Sequence, residues 1–198
     1  APSGGVVSGQ SAVIQLDGWT YEDLTIRSGA GLHINWPLMA AVSDWQLNAD
    51  EKKTVKARDK NMQRLEEFFE TARRYDAARR NDPSTKIDVK WESMRDVLAG
   101  KIPVIASAEY ANQIQAAVAF SVRQKVKLII SGGYDSIHCT DLLKHHDIPV
   151  ILGGIYRLPR RDDDFYDLPY EIPAILKKAG VRFCIASDGR FGASMVRN

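Results

Sequence analysis

The pattern of hydrophobic and polar positions differs between the beginning, the middle and the end of the chain. The first 40 residues hold short runs rich in Val, Ile and Leu, which predict strands. These runs are Ser11–Leu16, Leu24–Ile26 and Gly31–Trp36. Asp17-Gly18 predicts a turn after the first run, and Pro37 ends the third because proline has no N–H for a ladder.

The middle of the chain has the pattern of amphipathic helices. Residues Asp50 to about Arg80 contain neither Gly nor Pro, which predicts one long helix. Its apolar stripe, at mostly three- and four-residue steps, comprises Val55, Met62, Leu65, Phe69 and Ala72. The opposite face is dense in Lys, Arg and Glu and is typical of solvated surface. A break at Asn81–Ser84 precedes a second predicted helix over about Val89–Ala99.

From residue 101 onward, short apolar runs alternate with amphipathic segments. The predicted strands are Ile102–Ala106, Val126–Ile130, Pro149–Leu152 and Val181–Ala186. The predicted helices are Ala108–Gln124, Asp135–His145 and Pro169–Ala179. This alternation is typical of βαβ units, and strands that are apolar on both faces need helices on both sides or closure into a barrel. We therefore predict an α/β fold with parallel strands and outer helices; spacing alone leaves a barrel and an open doubly wound sheet as alternatives.

Length and composition add limits to this picture. The 198 residues predict a single domain with a β-rich segment (1–49), a helical segment (50–100) and four βα units (101–198). A net charge of +2, from 27 basic and 25 acidic residues, is too balanced to indicate nucleic acid as a partner. The sequence contains no run of about 20 apolar residues, so no membrane span is predicted. Cys139 and Cys184 lie in apolar segments and are predicted to be buried thiols.

Ligands of parallel α/β folds bind at the carboxyl ends of the strands. Here those ends are Ser107–Glu109, Ser131–Asp135, Gly153–Arg157 and Ser187–Arg190. Their Gly, Ser and Ala residues let a backbone approach a ligand, and Ser and Asp also cap helices. The polar segment Leu158–Asp167 lies on the same side and is predicted to be a solvated lid with internal charge pairs.

Several short stretches together carry a family resemblance. They are Val13–Gly18, Tyr21–Leu24, Gly100–Val104, Lys127–Ile130, Ile148–Gly153 and Ala179–Val181 through Ser187-Asp188. In this order they resemble the amidohydrolase superfamily, in particular its imidazolonepropionase-like branch. The resemblance implies the later part of a TIM-type (β/α)8 barrel, hence a partial barrel. It also implies a hydrolase that acts on C–N bonds of cyclic amides or N-acyl amino compounds, with a divalent metal, usually zinc, that activates water.

The resemblance also implies roles for particular residues. Asp188 stands where the family has an aspartate that is both metal ligand and catalytic base. Ser107 and Gly132 stand where the family has histidines, and no His-x-His pair occurs in the chain. Glu109, two residues beyond Ser107, and His33, on a predicted strand, are weaker candidates for metal ligands, because zinc needs three or four ligands.

Three functional hypotheses follow from these positions. The first is an amidohydrolase-like enzyme with Asp188 at its centre and a small-molecule pocket lined by Ser107, Glu109, Gly132 and Tyr156. The second is a non-catalytic binding or scaffold protein that has lost the metal site. The third is an open sheet that binds a small anion at Gly132-Gly133, although the GxGxxG spacing is absent. A barrel without its first strand would expose sheet edges, so we expect a homo-oligomer or a longer polypeptide to cover them.

Overall fold

The computed structural model describes residues 5–39, 49–154 and 157–186, with six strands that are ordered in the sheet as they are in the chain. The chain divides into two compact units. The first comprises residues 1–104 and 121–127, and the second comprises residues 105–120 and 128–198. Compact units need not fold independently, so the single-domain assignment stays a prediction.

The first unit contains an antiparallel pair of strands, β1 (Val7–Ile14) and β2 (Thr25–Asn35). The separate strands predicted at Leu24–Ile26 and Gly31–Trp36 are one continuous strand, which corrects the prediction. The small residues between them, Ser28–Ala30, lie at an irregularity of the register, so both halves stay in one ladder with β1. Leu24 itself ends α1 (Tyr21–Leu24), a single helical turn.

Two helices follow the hairpin along the chain. The first, α2 (Ala49–Asn81), extends one residue beyond each predicted end, and three residues of its stripe are buried, namely Leu65, Phe69 and Ala72. The second, α3 (Val89–Leu98), starts where predicted because the side chain of Asp88 accepts the Lys90 N–H at 3.0 Å.

An ionic network joins α2 to α3. Asp76, which is 8% exposed, accepts from Arg95 at 2.9 Å and from Arg80 at 2.7 Å. Arg95 also binds Glu92 at 2.7 Å, and the hydroxyl of Tyr75 donates to Glu92 at 2.8 Å. We call these five residues the interhelical network. Each carboxylate in it has more than one partner, so the charges that α3 brings near α2 are satisfied.

The later strands are β3 (Val104–Ala108), β4 (Leu128–Gly132), β5 (Val150–Leu152) and β6 (Phe183–Ile185). Strand β5 pairs with both β4 and β6, in parallel in each case. Each of these strands lies within or next to an apolar run predicted from the sequence. The predicted α/β fold with a mostly parallel sheet is therefore confirmed.

Helices connect these strands. Helix α4 (Ala111–Gln124) lies between β3 and β4. The helix predicted over Asp135–His145 is instead a 3₁₀ helix (Tyr134–Cys139) continued by α5 (Thr140–His145). The tighter turn begins at Gly133, which has φ +66° and whose carbonyl accepts the Ser136 N–H at 3.0 Å. This start brings the side chains that follow β4 towards the end of β3.

Apolar side chains from these strands and helices form the core of the second unit. Helix α6 (Leu168–Ala179) packs against the 3₁₀ helix and against β6. The buried residues of β4, β5 and α6 include Leu128, Ile130, Val150, Leu152, Ile172 and Leu176. Since the core fixes these backbones, the residues at the carboxyl ends of the strands stand on a rigid support.

The cysteine prediction is right for one residue and wrong for the other. Cys139 is buried against the core, and this burial raises the pKa of its thiol. Cys184 is exposed, because β6 is the last strand in the sheet order and leaves its side chain uncovered by the described residues. A search of the described helices finds none with the length and apolarity that a bilayer crossing requires.

Candidate functional site

Charged side chains gather at the carboxyl ends of β3 and β4, within the second unit. Glu109 follows β3, and Tyr134 and Asp135 follow β4. A segment between β5 and α6 brings arginines and one aspartate to the same place. We call this group the strand-end cluster; it consists of Glu109, Tyr134, Asp135, Arg157, Arg160, Arg161 and Asp164.

Glu109 is the centre of one half of the cluster. Its carboxylate accepts from Arg160 at 2.7 Å, from the backbone N–H of Tyr134 at 3.1 Å and from Arg157 at 3.4 Å. Its own backbone N–H donates to the side chain of Gln113 at 3.0 Å, which fixes the residue at the start of α4. The carboxylate is thus held by two cations and a strand-end amide.

The two glycines that follow Ser131 make room for this arrangement. A Cβ on Gly132, where φ is +101°, would lie 2.8 Å from Cδ of Glu109. A Cβ on Gly133 would lie 2.6 Å from Val150. Both distances are too short for a side chain, and both backbones favour glycine. The carboxylate of Glu109 therefore occupies the space beside Gly132, the position that the family resemblance gives to a histidine.

Asp135 is the centre of the other half. Its carboxylate takes two parallel bonds from Arg161, at 3.0 Å and 2.5 Å, the geometry that makes a guanidinium–carboxylate pair strong. It also accepts the backbone N–H of Ala111 at 3.0 Å, at the start of α4. Only 5% of the Asp135 side chain is exposed, so this pair is largely shielded from solvent.

Tyr134 and Asp164 complete the cluster. The buried Tyr134 hydroxyl donates to Asp164 at 2.6 Å and accepts the backbone N–H of Arg160 at 3.2 Å. The hydrogen bond from Tyr134, with help from the backbone N–H of Arg161, holds the pKa of Asp164 below its usual range. Burial, and then the bond to Asp164, raises the pKa of Tyr134. Asp164 therefore stays ionised and Tyr134 neutral around the middle of the pH scale.

These contacts revise the prediction for the segment Leu158–Asp167. The sequence predicted a solvated lid with internal charge pairs. One internal pair exists, Arg161 with Asp164 at 3.7 Å, but the shorter side-chain bonds reach Glu109, Tyr134 and Asp135. In the sequence, Glu109 and Asp135 can be recognised as charged residues that follow apolar strands. Their partners lie 26 to 51 positions away in the chain, a separation that periodicity does not reveal.

The structure places the predicted site residues unevenly. Glu109 and Gly132 lie together in the second unit, and Ser107 is an exposed residue of β3. Tyr156 and Asp188 lie outside the described residues. His33 belongs to β2 in the first unit; its buried Nε2 has no hydrogen-bond partner among the described residues, and burial lowers its pKa.

The described residues contain no cluster of metal ligands. Within residues 5–39, 49–154 and 157–186, no group of three or more His, Cys, Asp or Glu side chains could hold a metal ion. Glu109, the candidate for a substitute ligand, instead has arginines as neighbours. The metal roles predicted for Asp188, Glu109 and His33 stay predictions.

Comparison with solved structures places this fold among known proteins. The chain is similar to the crystal structure of an amidohydrolase from Thermotoga maritima MSB8, with a TM-score of 0.73 and 22% sequence identity. The similarity covers 92% of this chain and 48% of that chain, so this chain spans about half the length of its neighbour. The predicted likeness to a partial amidohydrolase barrel is thereby confirmed at the level of the fold. No protein-family model and no curated protein matches the sequence.

Proposed function

We propose that this chain is part of a hydrolase of the amidohydrolase type, which acts on C–N bonds other than peptide bonds. The observation that carries the proposal is the fold similarity over 92% of the chain to a protein described as an amidohydrolase. Fold alone does not define chemistry, so the position of the strand-end cluster is a second support. Its charged side chains lie at the carboxyl ends of β3 and β4, where barrels of this type carry their active sites.

The substrate class in the proposal comes from the sequence. The ordered motifs resemble the imidazolonepropionase-like branch, which favours cyclic amides or N-acyl amino compounds as substrates. In this proposal Asp188 is the base, and Ser107, Glu109, Gly132 and Tyr156 line the pocket. The hydrogen bonds that the Glu109 carboxylate accepts from Arg160 and from the Tyr134 amide would hold its side chain in one orientation in the pocket. Zinc dependence is part of the proposal and rests on the family resemblance.

The test uses the polypeptide that carries this sequence, supplied with zinc and then freed of excess metal. Metal content is measured by mass spectrometry, and hydrolysis is measured on a panel of N-acyl amino acids and cyclic amides. We expect stoichiometric zinc and turnover, both lost in Asp188→Ala. The matched control is Asp147→Asn, which removes an exposed carboxylate paired only with Arg182 among the described residues. Turnover that survives in Asp188→Ala, or no turnover on any substrate, contradicts the proposal.

The second candidate function is a non-catalytic protein that binds a small molecule at the same strand ends. It is favoured by the contacts of Glu109, whose carboxylate is bound to two arginines beside a glycine that leaves no room for a side chain. Compounds that bind such a protein would raise its melting temperature and would not be hydrolysed. A melting temperature that no panel compound changes would count against it.

The proposal extends to what covers the ends of the sheet. Strands β1 and β6 are the first and last in the sheet order, and exposed strand edges favour pairing with another chain or segment. We propose association with a second copy, or with the remainder of a longer polypeptide. Sedimentation of the natural protein distinguishes these possibilities, because a second copy doubles the mass of these 198 residues and a longer polypeptide adds to it. A natural protein that is a monomer of these 198 residues would contradict both.

A further inference from the structure

The guanidinium of Arg157 has few hydrogen-bond partners among the described residues. Within the part of the chain that the structure describes, its guanidinium makes one hydrogen bond, to Glu109 at 3.4 Å, near the upper limit for such a bond. Arg160 donates to the same carboxylate oxygen at 2.7 Å and is the main partner of Glu109. A guanidinium has several N–H donors, so most of those on Arg157 are left for another acceptor.

Arg157 also lines a small pocket in the second unit. The pocket lies at the carboxyl end of β5 and the start of α6, and its lining is Leu152, Gly153, Gly154, Arg157, Pro169 and Ile172. Of these side chains, only that of Arg157 is charged. Gly153 lies beside the guanidinium, since a Cβ built on it would be in ordinary van der Waals contact, at 4.0 Å, with an Nη atom of Arg157.

The guanidinium of Arg157 is held in place although it is poorly paired. Its carbon lies 4.9 Å from the centroid of the Tyr134 ring, within the range of a cation–π contact. Its side chain is 20% exposed, so solvent reaches only a part of it. A cation that is fixed, partly desolvated and open on one side needs little rearrangement to bind an anion.

The charges of the cluster are unevenly distributed. Glu109 is shared by two arginines, Arg157 and Arg160, whereas Arg161 is shared by two aspartates, Asp135 and Asp164. The half that borders the pocket therefore has one positive charge in excess. A ligand with a single negative charge would neutralise it, and a carboxylate matches the planar edge of a guanidinium.

We propose that the pocket at the end of β5 binds a carboxylate group and that Arg157 is its partner. This inference deepens the proposed function and, as far as it concerns a substrate, rests on it. It makes the substrate an acid with a free carboxylate near the scissile C–N bond. The apolar wall formed by Leu152, Pro169 and Ile172 would contact the carbon atoms next to that carboxylate. A phosphate group suits the site less well, since its second negative charge would face Glu109 without a further cation.

Binding is tested first without turnover. N-acetylglycine and its uncharged counterpart N-acetylglycinamide are titrated into the polypeptide that carries this sequence, and heats of binding are recorded by calorimetry. Inorganic phosphate is titrated in a parallel experiment. We expect the acid to bind at least about tenfold more tightly than the amide or phosphate, a difference of about 1.4 kcal/mol. Equal affinity for acid and amide overturns the inference.

Variants then test the assignment to Arg157. Arg157→Gln should weaken binding of N-acetylglycine at least about tenfold, and Arg157→Lys should weaken it less because the charge remains. Arg182→Gln is the matched control, since it removes an exposed arginine of the same unit that pairs with Asp147. Circular dichroism shows whether each variant is folded. Unchanged affinity in folded Arg157→Gln overturns the inference.

The inference and the proposed function fail in different ways. Carboxylate binding that depends on Arg157, without hydrolysis of any substrate, supports the subsite and contradicts the hydrolase. Hydrolysis whose kcat/KM for acidic substrates is the same in Arg157→Gln and in the unmodified polypeptide supports the hydrolase and overturns the subsite. If both hold, Arg157→Gln raises KM for acidic substrates and leaves KM for neutral ones unchanged.

Discussion

The interhelical network of the first unit and the strand-end cluster of the second unit are built from the same kinds of side chain. Each combines arginines, carboxylates and a tyrosine that donates to a carboxylate. In the interhelical network the pairs lie at most 19 positions apart and join two successive helices. In the strand-end cluster they join positions up to 51 apart.

The two groups also differ in how completely their charges are paired. Asp76 and Glu92 each have close partners. The strand-end cluster holds Arg157 by one long bond and borders a pocket. Similar side chains therefore differ in how completely they are paired, and an incompletely paired charge beside a pocket is a candidate for ligand recognition.

The largest effect is expected from the glycine that starts the 3₁₀ helix. Gly133→Ala combines a left-handed backbone with a Cβ 2.6 Å from Val150, so it should lower the free energy of unfolding by about 3 kcal/mol. Gly100→Ala, after α3, has the same backbone strain (φ +70°) but its nearest neighbour, on Lys127, is 3.8 Å away. It should cost about 1 kcal/mol. Urea denaturation measures both, and equal losses would show that the close approach to Val150 does not matter.

A second comparison removes one arginine from each group. Arg161→Gln leaves the shielded Asp135 without its cation, so it should destabilise the protein by about 2 kcal/mol. Arg95→Gln should destabilise it less, because Asp76 keeps Arg80 as a partner at 2.7 Å. Urea denaturation near neutral pH measures both variants. A greater loss in Arg95→Gln would contradict the stronger dependence of the strand-end cluster on a single arginine.

The smallest effect concerns the two tyrosines. The pKa of Asp164 is lowered, mainly by the hydrogen bond from Tyr134, so its stabilising contribution is present above its unfolded pKa of about 3.9 and is lost as the pH falls through its lower folded pKa. Tyr134→Phe should remove most of that acid dependence and cost about 1 kcal/mol at neutral pH. Tyr75→Phe should change the acid dependence less, because Arg95 is the main cause of the lowered pKa of Glu92. Unfolding free energies measured from below pH 4 to pH 7 decide this, and identical profiles for the two variants would refute it.

The raised pKa of Tyr134 gives an alkaline counterpart to the same measurement. Its stabilising contribution is complete below its unfolded pKa of about 10 and is lost as the pH rises through its higher folded pKa. Tyr134→Phe should therefore lose less stability than the unmodified protein between neutral and strongly alkaline pH. The opposite order would show that the buried hydroxyl is not what makes the fold sensitive to base.

Much of the fold was predictable because it depends on local patterns. The absence of Gly and Pro through α2 and the apolar runs at β3 to β6 follow from backbone preferences and burial that short windows of sequence express. The division of β2 into two strands was wrong because its continuity depends on the ladder with β1, which no local window contains. The exposure of Cys184 likewise depends on the place of β6 in the sheet, not on its apolar neighbours.

The candidate site was predictable only in outline. The rule that ligands bind at the carboxyl ends of strands led from the sequence to Glu109, Gly132 and the loop before α6. It did not give the partners of Glu109, and the roles of Asp188 and Tyr156 remain predictions because both lie outside the described residues. The family resemblance implied a histidine at the position of Gly132, but the reason for glycine there depends on where the side chain of Glu109 lies in the folded protein.

By itself, the sequence determined the alternation of strands and helices after residue 100, the α/β class and the end of the strands at which charged residues gather. These properties depend on residues close together in the chain, whose hydrophobic period and turn signals are local. Only the tertiary structure decided that Arg157 and Arg160 share Glu109 and that Arg161 pairs with Asp135 in addition to its neighbour Asp164. Electrostatic pairing depends on distance in space, and packing around the strands brings Glu109 and Asp135 next to arginines that lie 26 to 51 residues away in the chain.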